Sequence, residues 1–278
     1  MNKKEIKSLA EYIELIKAIY KEWNPKKILF FRGHASDKWD LLPSVFRRNN
    51  KTNSLYNEKD LVLDYKQIAP AHTFDYALIP DIDKILVEMQ HSELPTRLLD
   101  WTFAPLSALF FACQPKDETK EDDAVVYVLN PWDVYPQISL GSNSSKNIPS
   151  TYMDINITSR CLLSLNWKYD EIKNYVNKNW MYDIQPSEYN NPIPFVAKFR
   201  NDRIIAQRGA FVLWGNNLEK LDMIDLFNTN MIKIVIKSDN KNEIFYMLNL
   251  LYINEYTQYP DLKGIKDLIE RKCSLFNK

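Results

Sequence analysis

Residues 94–112 read Leu94-Pro95-Thr96-Arg97-Leu98-Leu99-Asp100-Trp101-Thr102-Phe103-Ala104-Pro105-Leu106-Ser107-Ala108-Leu109-Phe110-Phe111-Ala112. A turn carrying Pro95 and Arg97 leads to Asp100-Trp101-Thr102, and Pro105 then opens an apolar helix that runs to Ala112. Proline suits that first helical position because its missing N–H would have no partner there in any case. Working outward, a helix-like stretch from Asp83 to Gln90 precedes the turn. Ile28 to Phe31 is a short, wholly apolar run with a bulky aromatic end, read as a buried strand that stops at Arg32-Gly33-His34. Ala124 to Leu129 is a second apolar run of strand length, and Phe195 to Phe199, Ile204 to Trp214 and Met231 to Lys237 read as three strands of one sheet. Ile6, Leu9, Ile13, Ile16, Ile19 and Trp23 recur three or four apart, the period of an amphipathic helix. Further helices are expected over Asn57 to Ala69, where Pro70 stops the pattern, over Trp167 to Asn179, over Glu243 to Leu251 and over Leu262 to Cys273. Leu41-Leu42-Pro43-Ser44 turns into a short helix. Between Asn130 and Ser150, Pro131, Pro136, Gly141 and a Ser/Asn cluster mark a long loop, either a lid or a solvated excursion. The expected class is α+β, a mixed sheet flanked by helices.

The 278 residues suffice for a substantial core, as one large domain or one domain with an appendage. Residues 1–25 are expected as an N-terminal helix packed on the core. Lys plus Arg number 36 and Asp plus Glu number 36. This balance leaves no overall positive field of the kind that drives bulk nucleic-acid binding. Cys113, Cys161 and Cys273 are widely spaced and odd in number, which suits core thiols in a reducing compartment. The first twenty residues lack the unbroken apolar stretch of a signal peptide, and no later run is long enough to span a bilayer, so a cytoplasmic protein with no membrane partner is expected. Only 5 glycines are present, which excludes a Gly-rich phosphate loop. The 3 histidines and scattered cysteines show no metal-ligand spacing, and no serine nucleophile elbow is present.

The polar residues that interrupt this apolar pattern are the candidate site. Arg32 at a strand end is suited to a phosphate or carboxylate, because its planar fork makes two parallel charge-assisted hydrogen bonds. Gly33 would let the backbone approach such a ligand. The competing reading of Arg32 is a buried scaffold ion pair with Asp100 or another acid. Arg97 is a second guanidinium that could converge with Arg32 on a diphosphate. Thr102 offers a hydroxyl, Trp101 and Trp39 offer ring faces, and Asp100 could orient an arginine or accept from a ribose hydroxyl. Packed aromatics and a helix cap are the alternatives for these residues. His91 is either an acid or base near neutral pH or a donor to backbone carbonyls. Gln207 could orient a ribose or a water, and is assigned to binding.

Phe31-Arg32-Gly33, Trp39, Leu42-Pro43-Ser44, Arg47, Gln90-His91, Leu94 to Thr102 and Ala108 to Ala112 together resemble the FRG domain, named for its first motif. Gln207-Arg208-Gly209-Ala210-Phe211 and Tyr259-Pro260-Asp261-Leu262 extend the resemblance, so 26–278 is read as the domain. The chain also resembles ADP-ribosyltransferases of the Arg-Ser-Glu type. There an Arg-Gly ends the first core strand, a Ser-Thr-Ser segment precedes a short Ala- and Phe-rich helix, and a Gln/Glu-x-Glu supplies the catalytic glutamate. Arg32-Gly33 resembles the first feature and Asp100-Trp101-Thr102 the second, whereas Gln207-Arg208-Gly209 stands where the third would be. This second resemblance implies an ADP-ribosyltransferase-like sheet and NAD as substrate, without a metal. Arg32, Thr102, Asp100 and His91 would be catalytic, and Arg32, Gly33, Arg97, Trp101 and Gln207 would bind the nucleotide. Cleavage of a nicotinamide glycosidic bond needs a nearby anion, for which Asp100, Glu88, Glu188 and Glu255 are candidates. The implied activity is that of an ADP-ribosyltransferase or NAD glycohydrolase, with a protein or other macromolecule as acceptor, in a bacterial toxin or antiviral (phage) defence effector. The alternative is a non-enzymatic ligand-sensing or protein-interaction module.

Overall fold

Seven strands form one mixed sheet in the computed structural model, which describes residues 1–23, 28–49, 51–69, 82–134, 191–195, 201–215 and 217–275. They are β1 (Asn2–Ile6), β2 (Phe30–His34), β3 (Leu98–Thr102), β4 (Ala124–Leu129), β5 (Ile193–Phe195), β6 (Gly209–Leu213) and β7 (Met231–Ile236), in the order β1-β7-β4-β2-β3-β6-β5. Only β1 and β7 run parallel. Every other neighbouring pair is antiparallel.

Alternation along the strands builds the core. Val126 and Val128 of β4 and Ile232 and Ile234 of β7 point to one face. There they meet α1 (Leu9–Trp23), α4 (Pro105–Cys113) and α7 (Ser238–Leu250). Leu98, Phe211 and Leu213 from β3 and β6 join a separate cluster with α2 (Glu58–Ile68) and α3 (Ile82–His91). A third cluster lines the opposite face across both halves, with Phe30, Leu99, Trp101, Tyr127, Val212 and Trp214 at its centre. The remaining helices are α5 (Asp202–Ala206), α6 (Asp225–Thr229), α8 (Glu255–Gln258) and α9 (Leu262–Leu275).

The join between the two halves of the sheet is narrow. β2 and β3 share a single register pair, Phe31 with Thr102, while Arg32, Gly33 and His34 pair with β4 alone. β2 and β3 therefore part beyond Phe31, and the helices above them part too, with α4 over one half and α3 over the other.

Four sequence expectations differ from this structure. The strand expected over 28–31 and stopping at Arg32 runs instead from Phe30 to His34, with Arg32 and Gly33 inside it, because their backbone pairs with β4. Residues 2–6, expected as part of an N-terminal helix over 1–25, instead form β1, whose first four residues are exposed. Such an edge strand needs no apolar alternation, so the sequence carries no period-2 signal there. Ile204 lies in α5, not in a strand, because Asn201 caps that turn by accepting from the Ile204 N–H at 2.9 Å. Cys273 is exposed, whereas Cys113 is a core thiol pushed up to about 12 by burial. The long loop near 130–150 beyond residue 134, the Trp167 to Asn179 helix, the Phe195 to Phe199 strand beyond residue 195, Cys161 and Glu188 lie outside the described residues.

Candidate functional site

A cavity of about 470 Å³ opens where β2 and β3 part. Its wall takes Arg32 and Gly33 from β2, Asp100, Trp101 and Thr102 from β3, and Gln90 and His91 from α3. Phe111 and Gln114 come from α4 and its cap, followed by Lys116. Asn201, Arg203 and Gln207 around α5, Tyr259 after α8, and Trp39 also line it.

Arg32 bridges the seam. Its Nε donates to Nε2 of His34 at 3.0 Å, and its Nη1 donates to the backbone carbonyl of Asp100, a group that continued β2–β3 pairing would have engaged. Both acceptors are neutral, so they fix the side chain without cancelling its charge. Burial lowers the Arg32 pKa to about 10, with Asp100 pulling it back up, and the group stays cationic at neutral pH. His34 is 2% exposed, its ring edge-on to Trp39 and Tyr127. Burial, then the charges of Arg32 and Arg47, hold its pKa well below the ordinary 6.5, which suits the neutral form that the Arg32 bond requires.

The Asp100 carboxylate accepts from Gln90 Nε2 at 2.8 Å, while Gln90 Oε1 accepts from the Thr96 hydroxyl. This orients the acid within the cavity. It also sorts the acids proposed from sequence. Glu255 is 3% exposed and paired with Arg271, Glu88 does not line the cavity, and Asp100 does. The only other carboxylate in the described wall, Glu93, pairs with Lys263 at 3.2 Å. His91 ends α3 exposed, on the cavity wall. Its side chain makes no hydrogen bond among the described residues, so the backbone-donor alternative is not realised.

Several expected ligand contacts turn out to have structural partners. Arg97 is not in the cavity. It is fully buried, its guanidinium donating to Glu58 from Nε at 2.8 Å and to the Trp214 carbonyl from Nη1 at 3.3 Å. The expected convergence of Arg32 with Arg97 therefore does not occur, because the core ion pair with Glu58 occupies Arg97. Gly33 is required by α4: a Cβ there would sit 1.9 Å from the Ala108 carbonyl oxygen and 2.8 Å from the Ala112 nitrogen. The close approach is that of a helix. The Thr102 hydroxyl donates to the Gln207 carbonyl at 2.6 Å and accepts from the Ala104 N–H at 2.9 Å, stitching β3 to the start of α4 and the end of α5. Trp101 borders the cavity, but alternation turns its ring into the opposite core cluster, where it is 3% exposed and offers no stacking face. Trp39, 39% exposed with Lys116 Nζ 5.3 Å from its ring centre, does offer one. Gln207 reaches the wall with its Nε2 donated to the Gln258 carbonyl at 3.0 Å.

The second guanidinium of the cavity is Arg203, which sequence spacing did not single out. It lies over the Tyr259 ring at 4.9 Å and donates to Asp261 at 3.3 Å. The signal was present in two pieces: Asn201 as an N-cap and the Tyr259-Pro260-Asp261 segment. Neither points to the other in one dimension. Among the described residues no group of three or more His, Cys, Asp or Glu stands close enough to hold a metal, and no helix is long and apolar enough to cross a membrane.

No curated protein and no solved structure matches the chain. A family model does, over residues 27–121, a span that holds β2, α2, α3, β3 and α4. Arg32, His34, His91, Asp100 and Thr102 fall within it, whereas Arg203, Gln207 and Tyr259 lie C-terminal to it. Both strands that part to open the cavity, and the arginine that bridges them, thus belong to the matched segment, and the chain carries an FRG domain.

Proposed function

We propose that the cavity binds NAD and that the protein acts on it as an ADP-ribosyltransferase or NAD glycohydrolase, in the role of a toxin or antiviral defence effector. The observation that carries this reading is Arg32 at the seam, cationic and held by two neutral acceptors. A guanidinium so placed is fixed in position with its charge directed to an incoming oxyanion. The chain order supports an ADP-ribosyltransferase-like reading of the fold: Arg32-Gly33 lies within β2, Asp100-Trp101-Thr102 closes β3, and α4 follows at once.

In this reading Arg32 binds a phosphate and Trp39 stacks on a ring. Asp100, held by Gln90, sits against the ribose carbon from which nicotinamide departs. The glycosidic C–N electrons leave with nicotinamide, the positive charge that develops on the ribose is stabilised by the Asp100 carboxylate, and water or an acceptor nucleophile then bonds to that carbon and releases its proton to solvent. Gln207 carries no charge and is tied to Gln258, so it contributes to binding alone.

The test is incubation of the purified protein with NAD, following nicotinamide release by chromatography beside Arg32→Ala and Asp100→Asn chains of matched thermal stability. Release by wild type and loss in both variants supports the reading; retained release in Arg32→Ala sinks it. The absence of a glutamate in Gln207-Arg208-Gly209 favours a second reading, a ligand-sensing module. NAD bound by wild type with no nicotinamide released would select it.

A further inference from the structure

We infer that Arg203 and Asn201 form a second anion-binding subsite in the cavity, and that its ligand class is therefore one with a pyrophosphate bridge rather than a single phosphate. This deepens the nucleotide reading of the same cavity and rests on it.

The argument starts from unused donors. A guanidinium carries five N–H groups. Arg203 engages one of them among the described residues, with Asp261, at the long distance of 3.3 Å. Its side chain is 19% exposed, and its Nε is shut from water with no partner. Arg97 shows what a structural arginine of this chain looks like: Nε, Nη1 and Nη2 all donate to protein acceptors. Two residues before Arg203, the Oδ1 of Asn201 is committed to capping α5, while its Nδ2 is buried without a partner. Two donor side chains in one wall of one cavity are thus left short of acceptors, a state that protein interiors rarely retain, and a turn of either side chain toward the cavity would bring its donor to an oxyanion.

The subsite lies near the first. Tyr259, under the Arg203 guanidinium, has its hydroxyl pKa raised by burial, lowered by the Arg203 charge and raised by that of Asp100. Asp100 is also the residue whose carbonyl holds Arg32. Arg32, Asp100, Arg203 and Tyr259 all line the same cavity, and the two phosphates of one bridge would give each fork an oxyanion.

The experiment is calorimetric titration of the full chain with ADP-ribose and with AMP. Arg203→Lys keeps the charge and removes the planar fork, while Asn201→Asp keeps the helix cap and removes the donor. Wild type is expected to bind ADP-ribose about tenfold or more tighter than AMP, each variant to lose about tenfold for ADP-ribose alone, and Arg32→Ala to weaken both. Equal binding of ADP-ribose by wild type and both variants, or no preference over AMP, or no binding of either, overturns the subsite. The two readings fail separately. This binding pattern without nicotinamide release from NAD removes the chemistry and leaves the subsite, whereas release with an unchanged KM in Arg203→Lys removes the subsite and leaves the chemistry.

Discussion

Arg32 and His34, two residues apart on β2, share a hydrogen bond of 3.0 Å in which the imidazole Nε2 is the acceptor. The bond exists only while His34 is neutral, because a protonated ring has no lone pair to offer.

A pH dependence of stability follows from the lowered His34 pKa. The unfolded chain takes up a proton near the ordinary 6.5, whereas the folded chain resists it to well below that value. Stability from this site is therefore complete above about 6.5 and lost as pH falls toward the folded pKa, with a slope approaching about 1.4 kcal/mol per pH unit. Urea unfolding of wild type and His34→Gln between pH 7.5 and 5.5 measures it. The wild-type curve should fall more steeply, and parallel curves would contradict the assignment.

Arg97 and Glu58 pair at full burial, so removing one partner leaves the other charged and uncompensated. Arg97→Met or Glu58→Leu alone should cost about 3–5 kcal/mol in denaturant unfolding, while the double variant should recover most of that loss. Additive losses in the double variant would show that the two side chains act independently.

At Gly33 a Cβ would meet the Ala108 carbonyl oxygen at 1.9 Å, and helix backbone yields less readily than a flexible side chain. Gly33→Ala should lower stability by about 3 kcal/mol through displacement of α4. Chemical denaturation reads the loss; an unchanged midpoint would mean that α4 moves aside freely.

Thr102 is expected to matter for stability as much as for any activity, since its hydroxyl serves both Gln207 and Ala104. Thr102→Val should cost about 1–3 kcal/mol by leaving those backbone groups unpaired. Thr102→Ser, which keeps the hydroxyl, should lie close to wild type in thermal unfolding. A Val variant as stable as the Ser variant would make the two bonds dispensable.

The apolar elements of the fold were legible from sequence. Pro105 marks the first residue of α4, and the runs 124–129 and 231–236 are strands with nearly the expected bounds. These are central strands, where continuous burial writes itself into composition. β1 was not legible, because Asn2 to Glu5 are polar and exposed and take their conformation from the neighbouring β7. The site was legible in part. Arg32, Asp100, His91 and Gln207 line one cavity, which strand order decides and their spacing along the chain does not. Arg97 lies in the core and Arg203, which the sequence did not single out, in the cavity wall, and each position is decided by a partner distant in sequence: Glu58 for Arg97, and Tyr259 and Asp261 for Arg203. A guanidinium buried against a carboxylate and one facing a cavity look alike in one dimension.

The pairing of β1 with β7 has a bearing on how the chain matures at the ribosome. Asn2 lies opposite Ile232, so β1 has no neighbour in the sheet until residue 232 has emerged. At ordinary translation rates that interval is on the order of ten seconds or more. Through it the N-terminal segment must remain unpaired, and its run of Asn2, Lys3, Lys4 and Glu5 is well suited to the wait, since charged side chains discourage a lone strand from adding to a foreign sheet edge. The polarity that leaves β1 without a strand signal is thus also what discourages it from pairing with a foreign edge before β7 is made.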